Sequence, residues 1–281
     1  MRLFQIIKSV FSGCEMKPSV YETINYSRED EIARVVFNRP EVHNAFNSKM
    51  IGEIDDAFEK IRSDESVRVV ILTGEGKSFC AGADINWLRE IIKYSYEQNL
   101  EESLQLAEVL HKIYTLPKPT VAMVNGTAIG GGNGFLSACD ISVASDDVRF
   151  GLSEVKIGLV PAAISPYVMR RIGESKAREY FLTGKRISAQ KALEIGLLNE
   201  VVPPDKLEET VMDIARLLLT SGPEAIAACK ELIDKTTRMS FEEVKKFTAQ
   251  MIANLRISPE GQEGMAAFLE KRKPKWIKKN K

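Results

Sequence analysis

The sequence predicts an α/β protein, with a core of alternating strands and helices followed by a region that is helical throughout. Three observations carry this. Short apolar runs such as Val69-Val70-Ile71-Leu72 alternate with amphipathic stretches such as Ile51, Ile54, Phe58 and Ile61. Glycine-rich turns separate them, the densest being Gly130-Gly131-Gly132-Asn133-Gly134. In the C-terminal part only helical patterns remain, with Leu207, Val211, Ile214 and Leu218 on one face.

A chain of 281 residues with 44% hydrophobic residues can bury a substantial core. Lys+Arg and Asp+Glu both number 39, so no global field favours nucleic acid or an anionic membrane. No apolar run reaches the roughly 18 residues of a membrane span. Cys14, Cys80, Cys139 and Cys229 are far apart, and His43 and His111 are the only imidazoles. That pattern argues against a metal site or a disulfide framework and makes the reducing cytoplasm the expected compartment. The segment Met1 to Lys17 is apolar but interrupted by Lys8, Ser9 and Ser12, which suits a secretory signal poorly. It is expected to be an extension (1–18) ahead of the folded core (19–204) and the helical C-terminal region (205–281).

Along the chain, Tyr21 to Tyr26 and Ile32 to Asn38 read as a hairpin around Arg28-Glu29-Asp30. Ser48 is the expected cap of the helix carrying Ile51 to Ile61, and Val67 to Thr73 is a buried strand. Gly74 to Asp84 is a small-residue loop leading into a helix with Ile85, Leu88 and Ile91 inward. Residues 92–99 lack periodicity and read as a lid, after which Leu104, Leu106, Val109, Leu110 and Ile113 mark a long helix. Thr120 to Asn125 is a strand running directly into the glycine turn, and Ile141 to Ala144 is the next strand. Helix punctuation is clear further on: Gly222-Pro223, the Ser240/Glu243 capping box, and Ser258-Pro259.

The glycine turn is the first candidate site. Where a helix starts there, its leading N–H groups lack intrahelical partners and carry the positive end of the helix dipole, which suits a developing negative oxygen. An isolated triple glycine is more often a packing turn. Its meaning therefore depends on the surrounding motifs.

Those motifs are Asn38-Arg39-Pro40 with Asn44-Ala45-Phe46; Phe79-Cys80-Ala81-Gly82-Ala83-Asp84; the glycine turn with Cys139-Asp140; Phe150-Gly151-Leu152-Ser153-Glu154 with Gly158-Leu159-Val160-Pro161; Leu182-Thr183-Gly184 through Ala192, Gly196 and Leu197; and Phe268 to Lys273. In this order, over residues 19 to 276, the chain resembles the crotonase superfamily, which includes enoyl-CoA hydratases and isomerases. The resemblance implies a spiral of ββα units with a helical C-terminal region used for trimer formation, often as a dimer of trimers. It implies an oxyanion hole of the Ala83 and Gly131 N–H groups for an acyl-CoA thioester, with Glu154 as acid/base. It also places Ala81, Asp84, Gly130, Gly134 and Pro161 around the substrate, and brings Phe268 and Lys271 to the nucleotide of a neighbouring subunit. Coenzyme A is then part of the substrate and no separate cofactor is required.

One departure stands out. Well-known hydratases carry a second glutamate where this chain has Gly134. Three readings remain open: a hydratase using Glu154 alone, with Glu90 as a possible helper; a Δ3,Δ2-enoyl-CoA isomerase using Glu154 as a single proton shuttle; and a non-catalytic acyl-CoA binding protein. The stretch Gly158-Leu159-Val160-Pro161-Ala162-Ala163-Ile164-Ser165-Pro166-Tyr167 is similar to hydratases of branched glutaconyl-CoA esters, including the methylglutaconyl-CoA type. A distal carboxylate would need a cation, for which Arg170 and Arg171 are the candidates. Cys80 and Cys139 read as core packing, and Trp87 as either an acyl-pocket wall or an anchor for its helix.

Overall fold

The computed structural model describes residues 21–278. The expected extension at 1–18, Cys14 within it, and the last three residues of the basic tail lie outside this range. Strands β1 (Ile24–Glu29) and β2 (Ile32–Phe37) form the expected antiparallel hairpin. From β3 onward the chain repeats one unit, in which a strand joins a large sheet, a second strand joins a small sheet, and a helix follows. The first unit is β3 (Val69–Gly74), β4 (Ser78–Cys80) and α2 (Ile85–Ile91). The second is β5 (Thr120–Val124), β6 (Thr127–Ile129) and α4 (Gly131–Ala138). The third is β7 (Ile141–Ser145), β8 (Arg149–Gly151) and α5 (Ser165–Thr183). The large sheet has the order β1-β2-β3-β5-β7-β10, closed by β10 (Glu200–Val202), and the small one β4-β6-β8-β9, closed by β9 (Ile187–Ser188). This is the ββα spiral.

The continuous apolar run of β3 follows from burial on both faces. Val70 and Leu72 enter the main core, as do Ala122 and Val124 of β5. Their neighbours Val69, Ile71, Val121 and Met123 enter a second core under Leu207, Val211 and Ala215 of α7 (Leu207–Leu219). The expected C-terminal region thus starts with a helix that covers the large sheet, and the helices α8 (Pro223–Thr236), α9 (Phe241–Ile257) and α10 (Pro259–Leu269) follow it. On the main-core side lie α1 (Ser48–Ser63), with Ile51, Ile54, Phe58 and Ile61 all buried, and α3 (Tyr96–Tyr114). The short helix α6 (Ala189–Glu194) joins β9 to β10 through the segment that follows it.

Several local expectations are corrected. Asn47, not Ser48, caps α1 by accepting from the Met50 N–H, while the Ser48 hydroxyl donates to the Glu102 carboxylate. Of residues 92–99, read as an aperiodic lid, 96–99 form the first turn of α3, started by a Ser95/Gln98 capping box. Ile85 of α2 is exposed, whereas Trp87 is buried with its ring edge-on to Phe46 and Ile91 packs against the main core. Strands β4 and β6 were not anticipated.

Candidate active site

The two small-residue loops leave the C-terminal ends of β4 and β6, which are parallel neighbours with Cys80 opposite Ala128. Each loop is therefore delivered to the same end of the small sheet. Phe46 organises both. Its N–H donates to the Gly82 carbonyl at 2.8 Å and its carbonyl accepts from Asp84 N–H at 2.9 Å, a parallel bridge centred on Ala83. In such a bridge the flanking residues face the partner, so the N–H of Ala83 itself points away from Phe46. The glycine turn adjoins this loop, since a Cβ on Gly82 would stand 3.1 Å from the Ile129 carbonyl oxygen.

Gly130 caps α4 with φ 51° and ψ −124°, a conformation suited to glycine, and Gly131 is the first helical residue. A Cβ on Gly131 would overlap the ring of Phe46, so that ring sets how close the turn comes to the Ala83 loop. Among the described residues, no hydrogen bond takes up the N–H of Ala83 or Gly131. Two fixed donors without internal partners can stabilise an oxygen that gains negative charge.

Glu154 completes the group. It opens a 3-10 turn, Glu154–Ile157, three residues after β8 ends at Gly151, and β8 pairs with β6 in parallel. A Cβ on Gly130 would lie 3.2 Å from Glu154 Oε1, which places the carboxyl directly against the glycine turn. Its Oε2 is buried without a hydrogen-bond partner. Burial raises the Glu154 pKa, opposed by its own backbone N–H. A carboxyl held this way is suited to giving and taking a proton.

The remaining anticipated residues divide. Gly134 faces the core: a Cβ there would overlap Ile164 and stand 3.4 Å from Leu110 Cδ1. Ile164 thus fills the space into which a side chain at 134 would begin, an arrangement invisible to sequence spacing. Pro161 is buried, and its carbonyl accepts from Ser165 N–H at 3.0 Å at the start of α5. Ala81 donates its N–H to the His43 carbonyl at 3.0 Å. The Asp84 carboxylate accepts from Asn86 N–H at 2.7 Å and pairs with Arg39 at 2.6 Å, which holds its pKa down despite burial. Its side chain thus braces the loop. Phe268 and Lys271 are exposed at the end of α10, where Lys271 has φ 54° in the turn that stops the helix.

Neither distal-carboxylate candidate is idle. Arg171 donates to the carbonyls of Ser137 and Cys139 at the end of α4, and to Leu197. Arg170 lies over Tyr114, donates to its hydroxyl at 3.0 Å and pairs with Asp234 at 3.4 Å. Glu90 is exposed. Cys80 and Cys139 are buried, which pushes their thiols up to about 12 and leaves them as packing groups.

Comparison with known proteins decides the family. The enoyl-CoA hydratase/isomerase family profile matches residues 27–279. The chain belongs to this family. A relative described as a putative enoyl-CoA hydratase from Thermus thermophilus is 38% identical over 245 residues, 87% of this chain and 97% of its own. The crystal structure of an enoyl-CoA hydratase from Shewanella pealeana superposes with a TM-score of 0.89 at 38% identity, covering 92% of this chain and 97% of that one. A putative enoyl-CoA hydratase/isomerase (crotonase) from Legionella pneumophila gives 0.86 at 40% identity, covering 92% of this chain and all of that one (100%). The crotonase fold and family membership thus stand on both sequence and structure. Within that family, an acyl-CoA is the class of substrate consistent with the site.

Proposed function

We propose that the protein is an enoyl-CoA hydratase that adds water to a short or branched 2-enoyl-CoA with Glu154 as its sole acid/base residue. The observation that carries this is the buried, unpartnered Glu154 Oε2 beside the Gly130-Gly131 turn. The thioester oxygen takes the N–H groups of Ala83 and Gly131. Ionised Glu154 removes a proton from water as the hydroxyl adds to C3, and the resulting enolate oxygen is held by the two donors. Neutral Glu154 then delivers the proton to C2, so one water is added and the carboxylate is regenerated. Each oxyanion donor contributes about 2.7–4 kcal/mol in comparable sites. Ala81, Asp84, Gly130, Gly134 and Pro161 form the surroundings of the acyl thioester in this reading, and no cofactor or metal takes part.

A second reading, the Δ3,Δ2-enoyl-CoA isomerase, is favoured by one specific contact. Ile164 and Leu110 against Gly134 put apolar groups where a second carboxylate would begin, which suits a shuttle of one proton between C2 and C4 by Glu154 alone. Incubation with 2-enoyl-CoA, 3-methylglutaconyl-CoA and 3-enoyl-CoA separates the possibilities. The hydratase yields 3-hydroxyacyl-CoA from one or both of the first two. A shifted double bond from 3-enoyl-CoA alone would establish the isomerase, and binding without product would leave an acyl-CoA binding protein. The glutaconyl test also asks where a distal carboxylate finds its cation, given that Arg170 and Arg171 are engaged within the chain.

The same reading takes the protein as a homotrimer or dimer of trimers in the cytoplasm, with Phe268 and Lys271 reaching the nucleotide held by a neighbouring subunit. The exposure of Phe268 (83%) and Leu269 (79%) supports it, since large apolar side chains are rarely left in water in a cluster.

A further inference from the structure

We infer that Asn133 is a positioning residue, one that locks the Gly131 donor to the strand that leads into Glu154. The inference rests on the proposed roles of those two residues and adds the device that sets them relative to one another. Asn133 is fully buried, so it does not itself meet substrate. Its Nδ2 lies 3.2 Å from the Ala128 carbonyl, 3.3 Å from Gly130 and 2.9 Å from Gly151. All three partners are acceptors, which fixes the amide orientation, because a flipped Oδ1 would face three carbonyl oxygens. Oδ1 is itself buried and unpartnered, so the side chain is kept for what its NH2 group does.

The carbonyls it gathers belong to both halves of the site. Ala128 and Gly130 are the strand end and cap that precede the Gly131 N–H, whereas Gly151 ends β8, three residues before Glu154. The Gly151 carbonyl also accepts from the Gly130 N–H at 2.8 Å, so two donors from the glycine turn converge on it. From the opposite side the turn is held by the Phe46 ring against Gly131 and by the Cys80 carbonyl against Gly132. Asn133 is the only side chain among the described residues whose hydrogen bonds join the turn to β8. Without it, β6 and β8 remain paired and the Gly130 N–H still meets the Gly151 carbonyl, but the side-chain brace that fixes the turn beyond Gly130 against β8 is lost.

Replacement by Ala and by Ser tests this, with steady-state kinetics on the turned-over enoyl-CoA, a kcat–pH profile and circular dichroism on each variant. Asn133→Ala is expected to fold, hold KM within about threefold and lose about 100-fold in kcat, the scale of a 1 Å misplacement. The rising limb of its pH profile moves, because Glu154 leaves its apolar setting. Asn133→Ser keeps one donor and recovers part of kcat. A folded Ala variant with wild-type kcat and pH limb overturns the inference, as does a change in KM alone. If Ala fails to fold, Ser gives the same comparison; failure of both to fold also overturns it and leaves Asn133 a folding residue. Glu154→Gln run alongside keeps the cases apart. Unchanged turnover there defeats the underlying site assignment, whereas an inactive Gln variant beside a fully active Ala variant defeats only the role of Asn133.

Discussion

At the scale of single residues, Glu154 is costly to the fold, and the proposed chemistry depends on it. Its raised pKa means that the folded protein holds the proton more tightly than the unfolded chain. The associated stability is fully present below the ordinary carboxylate range and is lost as pH rises from there through the folded pKa. Glu154→Gln is therefore expected to raise Tm at neutral pH, with the difference vanishing in acid, while kcat falls by about 10²–10⁴-fold. Thermal melts at several pH values, read beside initial rates, check both halves. In the wild type, kcat should rise with pH through a midpoint above the usual carboxylate range, since the ionised form starts the reaction. Gly131→Ala probes the opposite wall. Its methyl would enter the ring of Phe46, so the donor must shift, and about 10²–10³-fold in kcat is the expected loss.

At the scale of elements, the site depends on where short strands end. β4 and β6 are three residues each, too short for a periodicity to appear, with β6 flanked by Gly126 and Gly130 and β4 two residues from Gly76 and Gly82; this is why the sequence shows loops where the structure has a parallel pair. The loops that carry Ala83, Gly131 and Glu154 were legible, because ordered motifs mark the backbone there. Asn133, Ile164 and the bracketing by Phe46 were not, because each acts through a contact between segments distant in sequence. The reading of Asp84 as a substrate contact missed its pairing with Arg39 for the same reason. The fit of Ile164 against Gly134 gives a prediction at this scale. Gly134→Glu alone overpacks the helix pair α4/α5 and should cost about 1–3 kcal/mol in denaturant melts. Adding Ile164→Ala should restore much of that stability by making room for the new side chain.

At the scale of the whole molecule, the two cores divide the labour. The main core and its second layer under α7 fix the large sheet, and the small sheet holds the reactive loops at one end of its parallel strands. Beyond α7 the last helices leave Phe241, Ile257, Phe268 and Leu269 each more than three-quarters exposed, an apolar surface that accords with assembly. Phe268→Asp combined with Leu269→Asp should shift sedimentation from trimer or hexamer toward smaller species and raise KM; an unchanged sedimentation coefficient would remove these residues from the interface. The hairpin, the repeat of strand and helix and the capped C-terminal helices were readable from pattern alone, whereas the spiral came from the family resemblance. The proposed mechanism is that one buried carboxyl, with two backbone donors, hydrates an enoyl thioester. It is tested most directly by turning over 2-enoyl-CoA in ¹⁸O-labelled water with the wild type and Glu154→Gln, and weighing the product. The account predicts 3-hydroxyacyl-CoA carrying one ¹⁸O from the wild type and almost none from the variant; equal labelled product from both, or no hydrated product from either, would contradict it.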